Sequence, residues 1–325
     1  MRPDNGHRTS WRGMMATTCI CLAVPLLAVH PAGEQERARP QGPYFGQTLP
    51  GTTPVVFAPG VVSTAAHEFA CSFTPDGLEF YFTRRATPQS PTLIMVSRSV
   101  NGTWTEPEPA AFNDQSAQMS FEPQVTPDGR RLYFSSDRPL PGAGQGGPPA
   151  LNVWYVERQR NGWGTPREAG APFNPMRAMY VSMTKTGTIY TTDISAGMGT
   201  ESIAVSRLAE GKYTALEKLG APVNVEAGSM YPYIAPDESY LIYTRRAGQA
   251  LGLVVSFRNP DGTWREPRAI NLGMPAGTPN VSPDGRYLFF TAGERGKSDI
   301  YWVSASVVAA ARGTASDFEA SLGQK

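Results

Sequence analysis

The chain has 325 residues and a formal net charge of +1, with 29 Lys and Arg against 28 Asp and Glu. These charges nearly cancel and form no basic run, which excludes an electrostatic footprint for phosphates and, with it, nucleic acid as a partner. The 33 Gly and 30 Pro, with many Thr, Ser, Tyr and Val, describe short strands and frequent turns rather than helices.

Residues 1–33 read as a targeting segment, with Arg2, Arg8 and Arg12 ahead of an apolar run over residues 14–29 and small residues after it. That run falls short of the roughly 20 residues a spanning helix needs, and a polar, Pro-rich linker over residues 34–52 follows. The mature chain is therefore expected in the periplasm or outside the cell, as a monomer without a stable membrane span. Cys19 and Cys21 lie in the targeting segment, which leaves Cys71 alone and rules out an internal disulfide. Its apolar strand marks Cys71 as an inert core thiol.

From residue 53 to residue 308 the chain repeats itself. Five anchors share one pattern of strand residues and tight turn: Phe73-Thr74-Pro75-Asp76-Gly77, Val125-Thr126-Pro127-Asp128-Gly129, Met183-Thr184-Lys185-Thr186-Gly187, Ile234-Ala235-Pro236-Asp237-Glu238 and Val281-Ser282-Pro283-Asp284-Gly285. Pro presets φ for the first turn position, Asp bonds its own backbone and Gly supplies positive φ, so each anchor is a hairpin turn. Lys185 and Glu238 make the third and fourth turns degenerate. An aromatic strand follows each turn (residues 79–83, 132–135, 188–191, 241–244 and 288–291), then a variable loop and a third strand (93–97, 152–156, 202–206, 253–257 and 299–303). A polar turn ending in an aromatic, as at Trp104, Trp163, Tyr213 and Trp264, leads to a Pro-flanked fourth strand, which belongs at a sheet edge.

Four strands in a repeat of roughly 50 residues predict a propeller blade, which cannot bury both faces without neighbours. The fold class is thus all-β, a five-bladed β-propeller of four-stranded antiparallel blades. The fifth repeat lacks its outer strand, and residues 54–59 resemble the outer strands of the others; their return would close the last blade and lock the ring. Residues 309–325 form an Ala-rich tail.

The recurring Ser/Thr-Pro-Asp-Gly, the Leu132-Tyr133-Phe134-Ser135-Ser136-Asp137-Arg138 stretch and Asp299-Ile300-Tyr301 resemble the WD40-like, TolB-type β-propeller repeat of exported bacterial proteins. The resemblance covers most of residues 53–308 and implies a scaffold or protein-binding platform. The blade count departs from the six of TolB.

Loops between blades, and between second and third strands, open on one face of such a ring. The Pro-Asp-Gly turns lie on the other, and variable loops more often carry function. On the loop-rich face the repeat places Arg84, Arg85, Arg138, Arg245 and Arg246, with Arg177 and Arg295 at similar places, as a cationic crown for carboxylates of a peptide or an anionic glycan. An Arg after the second strand is also typical of this repeat, where it often pairs with a neighbouring acid such as Asp299, and that structural role is the stronger expectation. Tyr180 and Tyr231 join the crown as ligand-binding candidates.

For catalysis a histidine base could only be His67, since His7 and His30 fall in the targeting segment. His count excludes a His-based metal cluster, no carboxylate spacing supports calcium, and no cofactor is expected. Glu68, Glu122, Asp137 and Asp193 are the carboxylates that could face a sugar from different blades. The leading expectation is an exported binding or scaffold propeller for a protein, peptide or glycan, leaning away from enzyme; the alternative is a glycan-processing hydrolase or lyase using paired carboxylates at the channel mouth. The Asn101-Gly102-Thr103-Trp104 and Asp261-Gly262-Thr263-Trp264 turns are structural, and the Gly-rich residues 142–147, followed by Pro148-Pro149, read as a loop rather than a dinucleotide fingerprint.

Overall fold

The computed structural model describes residues 39–313 apart from 115–116, 141–150, 198, 226–227, 249 and 295. The targeting segment, Arg295, the Gly-rich stretch and most of the C-terminal tail therefore lie outside the described residues. Five antiparallel sheets follow one another along the chain as the five blades of a β-propeller. The inner strands are His67–Phe73, Ser120–Val125, Ala178–Met183, Ser229–Ile234 and Gly277–Val281. Next come Glu79–Arg85, Arg131–Ser136, Ile189–Asp193, Tyr240–Ala247 and Tyr287–Glu294. The third strands are Thr92–Val100, Asn152–Gln159, Ser202–Ser206, Ala250–Phe257 and Lys297–Ser304. Short outer pieces complete the first four blades: Glu108–Pro109, Arg167–Glu168, Glu217–Lys218 and Arg268–Ala269.

The outer pieces are helped by an asparagine that the repeat pattern concealed. Asn113, Asn174 and Asn224 each turn a side-chain amide onto the third strand, accepting from the N–H of Ile94, Val153 and Ile203 at 3.2, 2.8 and 3.0 Å and donating to the carbonyls of the same residues. One side chain thus continues the ladder where the outer strand has ended.

All five anchors form the same left-handed bend, the degenerate ones included: Gly77, Gly129, Gly187 and Gly285 have φ of 70, 68, 89 and 72°, and Glu238 has 62°. A residue with a Cβ costs about 1 kcal/mol there. Glu238 offsets that strain with its carboxylate, which accepts from the Tyr190 hydroxyl and pairs with Arg258.

The fifth blade is completed by Val55–Val56, which pairs with Lys297–Ser304 in the register Val55 to Trp302 and Val56 to Tyr301. Phe57 extends the pairing, donating its N–H to Ile300 at 2.8 Å. The segment just before it is also anchored, on the first blade: Trp104 donates its backbone N–H to Pro40 and its ring N–H to Gly42, both at 2.8 Å, and Phe45 stacks on Trp104 at 4.2 Å. Residues 40–57 therefore strap the first blade to the last.

Apolar side chains gather in five clusters, one per seam between neighbouring blades. The seam under the strap holds the densest aromatic packing, with Phe57 within 5.0–6.4 Å of the rings of Phe45, Phe73, Phe80, Phe289 and Trp302. Cys71 is buried in the same cluster, and burial pushes its thiol far above the usual range, so it stays protonated.

Each inner strand carries one bulge at the same place. Its residue takes positive φ: Ala70 at 46°, Glu122 at 59°, Tyr180 at 56°, Tyr231 at 54° and Thr278 at 46°. Four of their N–H groups are received by a threonine hydroxyl on the second strand of the preceding blade: Ala70 by Thr291, Glu122 by Thr83, Tyr231 by Thr192 and Thr278 by Thr244, at 3.1, 2.9, 2.8 and 3.2 Å. Pro123, Pro232 and Pro279 follow three of the bulges, where the strand is an edge lining the channel and a missing donor costs little. Pro thus marks the inner edge of the blades as well as the outer one.

Candidate functional site

A bulge re-aims one side chain, and the five bulges stand at one level of the inner strands, around the axis of the ring. Three of them carry polar or aromatic groups of size: Glu122, Tyr180 and Tyr231, from three successive blades. The Tyr180 and Tyr231 rings meet edge to face at 5.4 Å. Tyr180 reaches across the channel and donates its hydroxyl to the Pro279 carbonyl of the fifth blade at 2.7 Å. Next along the axis, two residues further along their inner strands, Asn280 donates to the Gln124 side-chain carbonyl at 2.8 Å, tying the fifth blade to the second. These two crossings separate the loop-side mouth of the channel from the turn-side mouth.

Glu122 is 3 % exposed and accepts a hydrogen bond from the Ser135 hydroxyl at 3.3 Å. Ser135 occupies the place that a threonine clasp holds in the other blades, and here the hydroxyl serves a carboxyl instead. Burial pushes the Glu122 carboxyl up to about 8, only partly opposed by the Ser135 bond, so the group is a neutral proton donor near pH 7.

On the loop side of Tyr231 lie Glu201 and Arg246, whose charges both act on its hydroxyl. Arg246 Nη2 is 3.5 Å from Glu201 Oε1, and that oxygen also accepts the Gly199 N–H at 2.9 Å. Glu201 is 1 % exposed, and among the described residues neither its Oε2 nor Arg246 Nε has a hydrogen-bond partner, although both atoms are buried. Sequence reading named Arg246 but not Glu201. Its signal was an acidic residue directly before the third strand, in a loop that varies between repeats.

The other sequence candidates have partners of their own. Glu68 is fully buried and pairs with Arg84 at 2.8 Å, while accepting from the Thr64 hydroxyl at 2.7 Å. Arg84 also donates to the carbonyls of Val61 and Val62, at 2.9 and 3.0 Å. Arg138, two residues further on in its repeat, donates to the Phe112 carbonyl at 3.1 Å and packs its guanidinium over Phe134 and Trp154. Arg245 reaches the Val223 carbonyl at 3.3 Å. In three blades, then, a guanidinium fastens the loop that enters the blade. Asp137 accepts the Met119 N–H at 2.9 Å. Burial pushes the Asp193 carboxyl up, but Ser195 and Lys218, the latter at 3.1 Å, outweigh it and hold the group below its usual range.

His67 stands at the seam of the first and last blades, stacked on Phe69, with Nδ1 2.8 Å from the Ser298 hydroxyl. Burial and then the nearby Arg85 lower its proton affinity, so the ring is neutral at pH 7. Among the described residues no three His, Cys, Asp or Glu side chains cluster in a way that could hold a metal ion.

No protein-family model matches the chain, and no curated protein matches it. Solved structures do. A putative TolB from Agrobacterium tumefaciens is 15% identical over 70% of this chain and 71% of its own, with a TM-score of 0.46. TolB from Acinetobacter baumannii is 13% identical over 76% of this chain and 54% of its own, with a TM-score of 0.48. An endo-arabinase from Bacteroides thetaiotaomicron is 15% identical over 79% of this chain and 97% of its own, also at 0.48.

Proposed function

We propose that the chain is an exported ligand-binding propeller, its repeats of the WD40-like, TolB-type kind, that takes a protein, peptide or glycan ligand at the loop-rich face and the channel mouth beneath it. One observation carries this reading. Glu122, Tyr180 and Tyr231 come together from strained bulges, beside a Glu201 and Arg246 pair that each keep one buried atom unpartnered among the described residues. Buried polar atoms without partners are rare, and strained backbone clusters where a ligand is handled. A ligand offering a donor to Glu201 and an acceptor to Arg246, over a tyrosine face, complements the group. Export rests on the targeting character of residues 1–33, and among the described residues no helix is long and apolar enough to cross a membrane.

Glycan and peptide arrays probed with the mature chain test the reading. Binding should fall at least tenfold in Arg246→Ala and Tyr231→Ala, and binding that ignores both changes would refute it.

A second reading, a glycan-processing hydrolase or lyase, is favoured by the neutral Glu122 carboxyl, which suits a general acid, with Glu201 as the second carboxylate. Here Glu122→Gln should abolish release of dye from a panel of chromogenic aryl glycosides while leaving ligand binding in place; a wild-type chain that releases none leaves only the binding role.

A further inference from the structure

The turn-side mouth of the channel is a separate place. It holds a cavity of about 350 Å³ to which all five blades contribute. Four of the five turns set a proline at the rim: Pro75, Pro127, Pro236 and Pro283. The remaining turn sets Lys185 there, the only charged side chain of the lining, exposed and without an ion pair among the described residues. Its backbone N–H donates to the Pro236 carbonyl at 2.8 Å. That bond accounts for the absence of proline at this turn, but not for the choice of lysine.

Deeper in, Ser72 and Ser182 are buried and line the same space. Each hydroxyl oxygen receives a backbone N–H from the next blade, Val125 to Ser72 and Ile234 to Ser182, both at 3.0 Å. Among the described residues neither hydroxyl hydrogen has an acceptor, so both are left to donate into the cavity. Asp237, on whose carboxylate the Lys185 charge acts, is outside the lining and is held by the Ser239 hydroxyl at 2.6 Å and its N–H at 3.1 Å. A cation and two spare hydroxyl donors, without a carboxylate in the lining, are the complement of an anion rich in acceptors. The walls beside them are aromatic, with Tyr233 and Tyr240 facing one another at 6.3 Å.

We propose that this cavity is a second binding site, for a carboxylate attached to an apolar or aromatic body. The carboxylate accepts from Ser72, Ser182 and Lys185, and the body lies against the tyrosines. A free aromatic acid and the C-terminus of a peptide share this chemistry. The site is independent of the loop-side reading, because the Tyr180 and Asn280 crossings lie between the two mouths.

The test uses the full chain with methyl-labelled methionine, 3-phenylpropanoate, and the tripeptide Gly-Gly-Phe as free acid and as C-terminal amide. Met183 lines the turn-side cavity, and Met230 lies against Arg246 on the loop side. Saturable shifts of Met183 are expected with at least one carboxylate probe and not with the amide: phenylpropanoate alone would identify a small acid as the ligand, and the tripeptide acid a chain terminus. Lys185→Gln, an exposed position, should weaken that binding roughly tenfold with the melting temperature unchanged. Shifts of Met230 instead of Met183, equal binding of the amide, no binding of either acid, or indifference to Lys185→Gln would each overturn the proposal.

Discussion

The backbone N–H of Glu122 is held by the Thr83 hydroxyl at 2.9 Å, across the seam between the first two blades. This bond fixes the left-handed bulge that carries the Glu122 carboxyl, and both residues are buried. Thr83→Val keeps the shape and removes the acceptor, stranding a buried donor. Urea unfolding should show a loss of about 1–3 kcal/mol. Thr83→Ser should restore most of it. A valine variant as stable as the parent would mean that the N–H finds another partner and that the clasp does not set the bulge.

Glu122 should also give the protein a stability that declines with alkali. Its carboxyl titrates near 8 in the folded chain, well above the ordinary value of 4.5, because burial penalises the charged form. Between those two values the unfolded chain has lost a proton that the folded chain keeps. Stability is therefore full below about pH 4.5 and falls as pH rises toward 8, by at most roughly 1.4 kcal/mol per pH unit. Melting curves from pH 5 to 8 should show the decline in the parent and a flatter profile in Glu122→Gln, which keeps an acceptor for Ser135. Parallel profiles would place the proton elsewhere.

Turn chemistry and closure were legible in the sequence because they depend on residue type: Pro, Asp and Gly make such bends cheaply and recur together in three of the five anchors, enough to place the two degenerate ones by spacing, and residues 54–59 could supply the missing strand. The bulges were not, because their geometry comes from strand pairing, and Ala, Glu, Tyr, Tyr and Thr share no side-chain property. Their one trace was a proline after three of them, at Pro123, Pro232 and Pro279. Glu201 was hidden for a related reason. It acts through its distance to Arg246, a residue 45 positions away in another blade, and no local pattern encodes that distance. The crown of arginines shows the opposite case, where a visible repeat of one residue type mainly reports a repeated loop contact.

Arg138 separates loop support from ligand capture. It is 5 % exposed, donates to the Phe112 carbonyl and to Ser136, and burial lowers its proton affinity. Arg138→Met keeps the stem against Phe134 and Trp154 but drops these bonds, at a cost of about 1.5–3 kcal/mol. The expected outcome is a lower unfolding midpoint in urea with little change in the affinity for any array ligand of the parent. A stable variant that has lost its ligand would instead make Arg138 part of the binding surface.

The strap sets how the ring fails. A propeller blade buries its faces only against neighbours, so an opened seam exposes both of them, and the seam under residues 40–57 joins the two chain-distant blades. Phe57 is fully buried and Phe45 4 % exposed, and their rings lie 5.4 Å apart. Phe57→Ala should cost about 3–5 kcal/mol, because it removes a ring that touches both the first and the fifth blade. Phe45→Ala should cost less at the fifth blade and more at the first, since Phe45 stacks on Trp104. The two losses should not add, because after either change the strap no longer holds the remaining ring in place. A double-mutant cycle in urea measures this directly: a coupling of roughly 1 kcal/mol or more is expected, and strict additivity would show that the two halves of the strap bind their blades independently.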